Sequence, residues 1–201
     1  MFKGLTKDLT GTADICNTVT DFRKLDVNSF LLPGEQVMFA FQSAKEEWVF
    51  TNEALISVYG ENATTTRKLV ERFEFRDLIL SRIKFETTGR ADRDCEIKFH
   101  IGSSECSIDI ARKEEQIVKK YYKALIALSR EQERRRRRLA FATRGVDHSA
   151  DALYLQGLNF NAQSSADPLS AQAGKMLDWL QTDFDTVNPR CYREVIAQAL
   201  R

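Results

Sequence analysis

Between residues 35 and 111 the apolar side chains recur at every second position, the repeat of strands whose two faces meet different surroundings, and the repeat then lengthens abruptly to that of a helix. Val37, Phe39 and Phe41 alternate with Met38, Ala40 and Gln42. Trp48 and Phe50 follow the polar "SAKEE", and Ile56 and Val58 lead to Tyr59 and Gly60. Leu69, Glu71, Phe73 and Phe75 share one side of the next run, and Ile83, Phe85 and Thr87 then alternate with Arg82, Lys84 and Glu86. Short alternating runs joined by short polar connections specify an antiparallel meander. Little else fits them.

The sharpest local reading is the hairpin "CEIKFHIGSSECSIDI". With Gly102 and Ser103 as the two central residues, glycine supplying the positive φ of a type II′ turn, Ile101 faces Ser104, Phe99 pairs with Cys106, Ile97 with Ile108 and Cys95 with Ile110. Glu96, Lys98 and His100 then lie on the opposite, wet face, so His100 reads as a solvated residue rather than a catalytic one. The same register sets Cys95 and Cys106 roughly 13 Å apart at about 3.3 Å per residue, too far for a disulfide.

From residue 112 the pattern "RKEEQIVKKYYKALIALSREQERRRRRLAF" places Ile117, Tyr121, Leu125 and Leu128 at helical spacing, with Val118, Tyr122 and Ile126 widening the stripe. The first half of this amphipathic helix packs on the sheet. Its far end carries five consecutive arginines, Arg134, Arg135, Arg136, Arg137 and Arg138, where cations complement the helix dipole and Glu131 and Glu133 stand four residues before Arg135 and Arg137. Residues 139–166, with Gly145, Gly157 and "NFNAQSSA", read as a linker holding one helical turn. Two helices then open on an Asx residue followed by proline, at Asp167-Pro168 and at Asn188-Pro189. Met176, Leu177, Leu180 and Phe184 lie along one, and Tyr192, Val195 and Ile196 along the other. Two such helices cannot bury both apolar faces against each other, so the sheet domain or a partner chain must cover Met176, Leu180, Phe184, Tyr192 and Ile196. At the other end, Leu9, Ala13 and Ile15 suggest a short helical arm. The expected organisation is thus an N-terminal helical arm over 1–30, a sheet domain with its C-terminal helix over 31–138, a linker over 139–166 and a helical hairpin over 167–201.

A run of about seven antiparallel strands closed by one amphipathic helix is the layout of a pleckstrin-homology (PH) domain, an α+β fold. Gly34-Glu35 before the first strand, Phe50-Thr51-Asn52 with Leu55 and Ile56, Phe75 with Ile79, and Thr88-Gly89 with Asp92 before "CEIKFHI" resemble the bacterial-type PH family over residues 30–128. The resemblance implies a PH-like antiparallel barrel or sandwich, no catalysis, no cofactor, and a scaffold that binds proteins or self-associates, with a helical extension supporting assembly. Two features depart from the pattern. The turn before "FEF" reads "ENATTTRK" where bacterial members carry a glycine and lysines, and the first hairpin loop "SAKEEW" would set a phosphate against Glu46 and Glu47, so no specific phosphoinositide site is expected.

The residue inventory agrees with an absence of catalysis. No GxGxxG, GxxxxGK[ST] or GxSxG motif occurs, and neither His100 nor His148 has a matching nucleophile pattern. Asp92, Arg93 and Asp94 read as a charged loop. Cys16, Cys95, Cys106 and Cys191 form no CxxC pair and no metal-ligand spacing, so all four read as reduced, small apolar residues. The longest apolar runs fall well short of a membrane span, Phe2 excludes N-myristoylation, and a cytoplasmic location is expected.

That leaves the arginines. Charge is concentrated around them: net −4 over residues 1–111, +8 over 112–144 and −3 over 145–201. As a nucleic-acid grip the run lacks the aromatic stacking partners such modules use, with Phe141 alone following. It suits a solvated helix end, or an electrostatic dock for acidic partner surfaces, this protein's own net −3 tail included. Together with Lys119, Lys120 and Lys123, it also suits an anionic membrane surface, the reading of a peripheral membrane adaptor. Nuclear import is a further use for such a run.

The predicted core comprises Phe39, Phe41, Phe73, Phe85, Ile97, Phe99, Ile108 and Ile110 closed by Tyr121 and Leu125. Phe99→Ala should lower the unfolding free energy by about 3–5 kcal/mol in urea denaturation. A loss below about 1 kcal/mol would mean that the strand faces are inverted.

Overall fold

The computed structural model describes residues 15–60, 67–87, 94–159, 175, 178, 182 and 184–201. Among the described residues eight strands form two antiparallel sheets. β1 (Asn17–Thr18), β2 (Val37–Gln42), β3 (Glu46–Thr51), β4 (Ala54–Gly60) and β5 (Lys68–Glu74) make the first in chain order. β6 (Leu80–Glu86), β7 (Asp94–Ile101) and β8 (Ser104–Ala111) make the second. The two sheets do not close into a barrel by a shared ladder. One isolated parallel bridge joins them at Cys16 and Ile110, held by Cys16 N–H to Asp109 C=O at 2.8 Å and Ala111 N–H to Cys16 C=O at 2.9 Å.

The β7–β8 hairpin has the expected register throughout, from Ile101↔Ser104 to Cys95↔Ile110. Gly102 takes φ +58°. A Cβ there would stand 2.9 Å from Leu78 Cδ2, the end of a side chain that can move aside, so it is the positive φ of the turn that favours glycine. The inner faces of the two sheets enclose Phe39, Phe41, Phe50, Leu55, Phe75, Ile97, Phe99, Ile108 and Ile110, while Phe73 and Phe85 stand half-buried at the margin. Leu69, on the edge strand β5, is 61% exposed.

Alternation fades in β3 and β4 because this part of the first sheet is buried on both faces. Its outer side, Ala40, Val49, Ala54, Ile56 and Val58, is covered by Leu25 and Val27. These come from the stretch of 3₁₀ turns at Phe22–Lys24 and Asp26–Phe30. Residues 15–30 are therefore part of the sheet domain rather than a separate helical arm. The arm residues Leu9 and Ala13 lie outside the described residues.

Helix α1 spans Glu115–Asn159 after a 3₁₀ turn at Arg112–Glu114. Val118, Tyr121, Ala124, Leu125 and Leu128 face the core, and Ser129 Oγ donates to the Leu80 carbonyl at 2.6 Å. The helix continues through most of the span expected to be a linker. A glycine inside a helix costs only about 1 kcal/mol relative to alanine, and Gly145 and Gly157 are outweighed by the Ala, Leu, Arg and Gln that surround them.

The last helix, α2 (Arg193–Leu200), differs from expectation in both start and company. Asn188 does not cap it. The Tyr192 N–H is taken by the Asn52 carbonyl at 2.7 Å, so the chain stays non-helical up to Tyr192 and turns helical only afterwards. Tyr192 and Ile196 are fully buried in the core between the sheets, with the Tyr192 hydroxyl donating to the Phe75 carbonyl at 3.3 Å. The second helix of the expected hairpin thus belongs to the sheet domain. The chain divides into that domain, which ends at Glu131 and resumes at Cys191–Arg201, and a helical excursion, Gln132–Arg190.

Ile196→Ala should destabilise the sheet domain by about 2–5 kcal/mol in urea denaturation, as for other buried aliphatic truncations. A change within experimental error would show that α2 rests on the surface and contributes nothing to the core.

Candidate functional site

The five arginines divide by their position around α1. Arg135 is buried and donates through Nη1 to the Pro189 carbonyl at 2.7 Å, closing the excursion on itself near its two ends. Arg134, Arg136, Arg137 and Arg138 are exposed. Glu133 forms the expected i,i+4 ion pair with Arg137. At 100° per residue Arg134, Arg137, Arg138, Phe141 and Arg144 fall within about 120° of arc, and Glu133, Asp147 and Asp151 lie along one flank of it. Phe141, in the middle of this face, is 71% exposed.

The apolar residues expected at a partner contact are dispersed. Tyr192 and Ile196 are covered by the sheet domain, one of the two covers the sequence left open. Phe184, in the excursion, is 43% exposed. Met176 and Leu180 lie outside the described residues.

Beside the β2–β3 hairpin a small pocket of about 130 Å³ is lined by Asp26, Gln42, Ser43, Lys45, Glu46, Glu47 and Lys68, among others. Lys68 is ion-paired with Asp26. Glu47 receives the Asp26 N–H at 3.0 Å, the Val27 N–H at 3.2 Å and the Gln42 amide at 2.9 Å. Burial outweighs these contacts and pushes the Glu47 pKa up. Three carboxylates against two lysines make this rim a poor seat for a phosphate.

Among the described residues no group of three His, Cys, Asp or Glu side chains could hold a metal ion, and no helix is long and apolar enough to cross a membrane. Burial pushes the Cys95 thiol up to about 11 and the Cys106 thiol up to about 12, and it raises Cys16 as well, with Glu46 adding to the rise. Buried thiols held in the protonated form are inert as nucleophiles. Cys191 is exposed and accepts from the Asn52 amide at 3.3 Å.

Three of the residues that carried the family resemblance, Glu35, Thr51 and Asn52, take part in one set of bonds around the start of β2. Thr51 Oγ donates to Glu35 Oε1 at 2.6 Å, Arg72 Nη1 meets Glu35 Oε2 at 2.9 Å, and the Leu32 N–H reaches the same oxygen at 2.9 Å. The Gln36 N–H donates to Asn52 Oδ1 at 2.6 Å, and the Asn52 carbonyl receives Tyr192. Sequence reading placed Glu35, Thr51 and Asn52 in a pattern without assigning them this work. Arg72 was missed, its only signal being a cation on a strand that pairs with β4.

Comparison with known proteins settles the family, because the model of the bacterial PH domain matches residues 4–129. The chain belongs to the bacterial PH-domain family. Over 133 residues it is 32% identical to the uncharacterized protein YvbH of Bacillus subtilis (strain 168), covering 64% of this chain and 65% of that protein's length. The uncharacterized protein YjqA of the same strain is 31% identical over 102 residues, covering 51% of this chain and 78% of YjqA. A crystal structure of a PH-domain-containing bacterial protein from Exiguobacterium sibiricum 255-15 is 29% identical and superposes with a TM-score of 0.81, over 94% of this chain and all of that one. The similarity to that structure therefore reaches well past the PH domain itself.

Burial alone would raise the pKa of Glu35, but Arg72, the Leu32 N–H and the Thr51 hydroxyl together hold it below the ordinary glutamate value. A carboxylate depressed in the fold stabilises fully above its unfolded pKa, and that contribution is lost as pH falls through the folded value. Glu47, with its pKa raised, acts in the opposite direction. In urea denaturation from neutral pH downward, stability should fall below about pH 4.3. Glu35→Gln should flatten that fall and cost about 2 kcal/mol at neutral pH, because Arg72 loses its buried acceptor. An unchanged acid slope in Glu35→Gln would remove Glu35 from the account.

Proposed function

We propose that this protein is a noncatalytic interaction module in which a bacterial PH domain holds out a helical excursion as a docking element for a protein partner, a second copy of the chain included. The observation that carries the reading is the return of the chain to the sheet domain at Tyr192. An extension that merely trailed from the domain would need no second anchor. Here Tyr192 and Ile196 fix the far end of the excursion in the same core that Tyr121 and Leu125 share with its near end. Phe184, exposed on the excursion, supplies an apolar contact of the kind that anchors a partner.

Light scattering over a concentration series, paired with capture of partners on immobilised full-length protein, tests the reading. Self-association or specific capture, lost in Phe184→Asp at unchanged melting temperature, is the expected result. A chain that stays monomeric and captures nothing, or a Phe184→Asp variant that behaves as the parent does, would defeat it.

A further inference from the structure

We propose that the outward face of α1 within the excursion, formed by Arg134, Arg137, Arg138, Phe141 and Arg144, is a contact site for an anionic phospholipid surface, with the guanidinium groups on headgroup phosphates and the Phe141 ring inserted below them. This goes beyond the protein-docking reading and does not depend on it. All five side chains are exposed and project from about 120° of one helix over about 15 Å of its length. No carboxylate falls inside that arc. Glu133, Asp147 and Asp151 are gathered on one flank, and Arg135, which points away, is bound to the Pro189 carbonyl. The face carries four arginines, of which Arg137 is paired with Glu133 on its flank, and one aromatic ring.

The ring decides among the anions that could meet it. A phenyl group that is 71% exposed among four guanidinium groups suits a surface that is apolar where the ring lies and negative where the arginines lie. An acidic protein surface satisfies the arginines but sets carboxylates against the negative π face of the ring. Single-stranded nucleic acid is gripped by successive aromatics, and this face has one. A bilayer surface separates the two demands by depth, because long arginine side chains reach up to the phosphate layer while the ring sits a few ångströms deeper among the acyl chains.

Co-sedimentation of the full chain with vesicles of phosphatidylcholine alone, or of phosphatidylcholine with phosphatidylglycerol, tests the site. Binding to the anionic vesicles that weakens with added salt is expected. Each Arg→Gln change on the face should weaken it about fivefold, and Phe141→Ala about tenfold. Circular dichroism should show the fold unchanged, since every altered side chain is exposed. The charge-matched control Lys24→Gln, Lys84→Gln, Arg112→Gln and Lys113→Gln takes its residues from exposed positions elsewhere and should bind as the parent does. The proposal is overturned if anionic and neutral vesicles sediment the protein equally or not at all, if the control loses as much binding as a variant with Arg134, Arg137, Arg138 and Arg144 all changed to Gln, or if Phe141→Ala retains full binding. Failure to bind vesicles while RNA or an acidic protein is bound through the same arginines would also overturn it and reassign the face.

Discussion

Three stacked rings place the long helix on the sheet domain. Phe39 lies between Phe50, at 4.4 Å and 13°, and Tyr121, at 4.6 Å and 14°, while Phe41 meets both neighbours edge-on. Offset stacking and edge-to-face contacts fix both separation and rotation, which aliphatic packing leaves looser. With Tyr121 fixed, the periodicity of the helix places the residues beyond it. Leu125 and Leu128 fall into the core one and two turns on, and Ser129 reaches the Leu80 carbonyl.

Much of this was legible in the sequence, for reasons that differ between elements. The β7–β8 hairpin could be read to the residue, because a two-residue turn and strict alternation leave one register in which every inward side chain meets an apolar partner. The amphipathic half of α1 was readable for the same kind of reason. Its continuation was not, since Gly145 and Gly157 look like breaks when only local signals are weighed, and a helix already propagating loses little in crossing them. The start of α2 was misread because Asn188-Pro189 imitates a helix opening, whereas Asn52, far away in sequence, decides where the chain turns helical. No local pattern could show that Leu25 and Val27 cover the outer face of the first sheet, although the loss of alternation in "WVFTNEALISV" was the trace they left.

The candidate site was legible in part for related reasons. Charge concentration marked residues 134–138 at once, but charge has no direction in a sequence. Arg135 and Arg137 are indistinguishable until the helix phase is known. Phe141 was visible only as the one aromatic beyond the run, and its exposure is a fact of the fold. Glu35, Thr51 and Asn52 stood out as a pattern without a reason. The structure supplies one: Glu35 and Thr51 bind each other, and Asn52 ties Gln36, just before β2, to the returning C-terminal segment.

The second attachment at Tyr192 makes the excursion a closed loop in the topological sense, an insertion whose two ends are set by one domain. The entropy of closing such a loop grows only with the logarithm of its length, each doubling costing about 0.6 kcal/mol. The sheet domain can therefore tolerate insertions of very different size between Glu131 and Cys191 while keeping its core intact, provided that Asn52 and Tyr192 still meet. The core of the domain thus sets where the excursion begins and ends without setting how long it is.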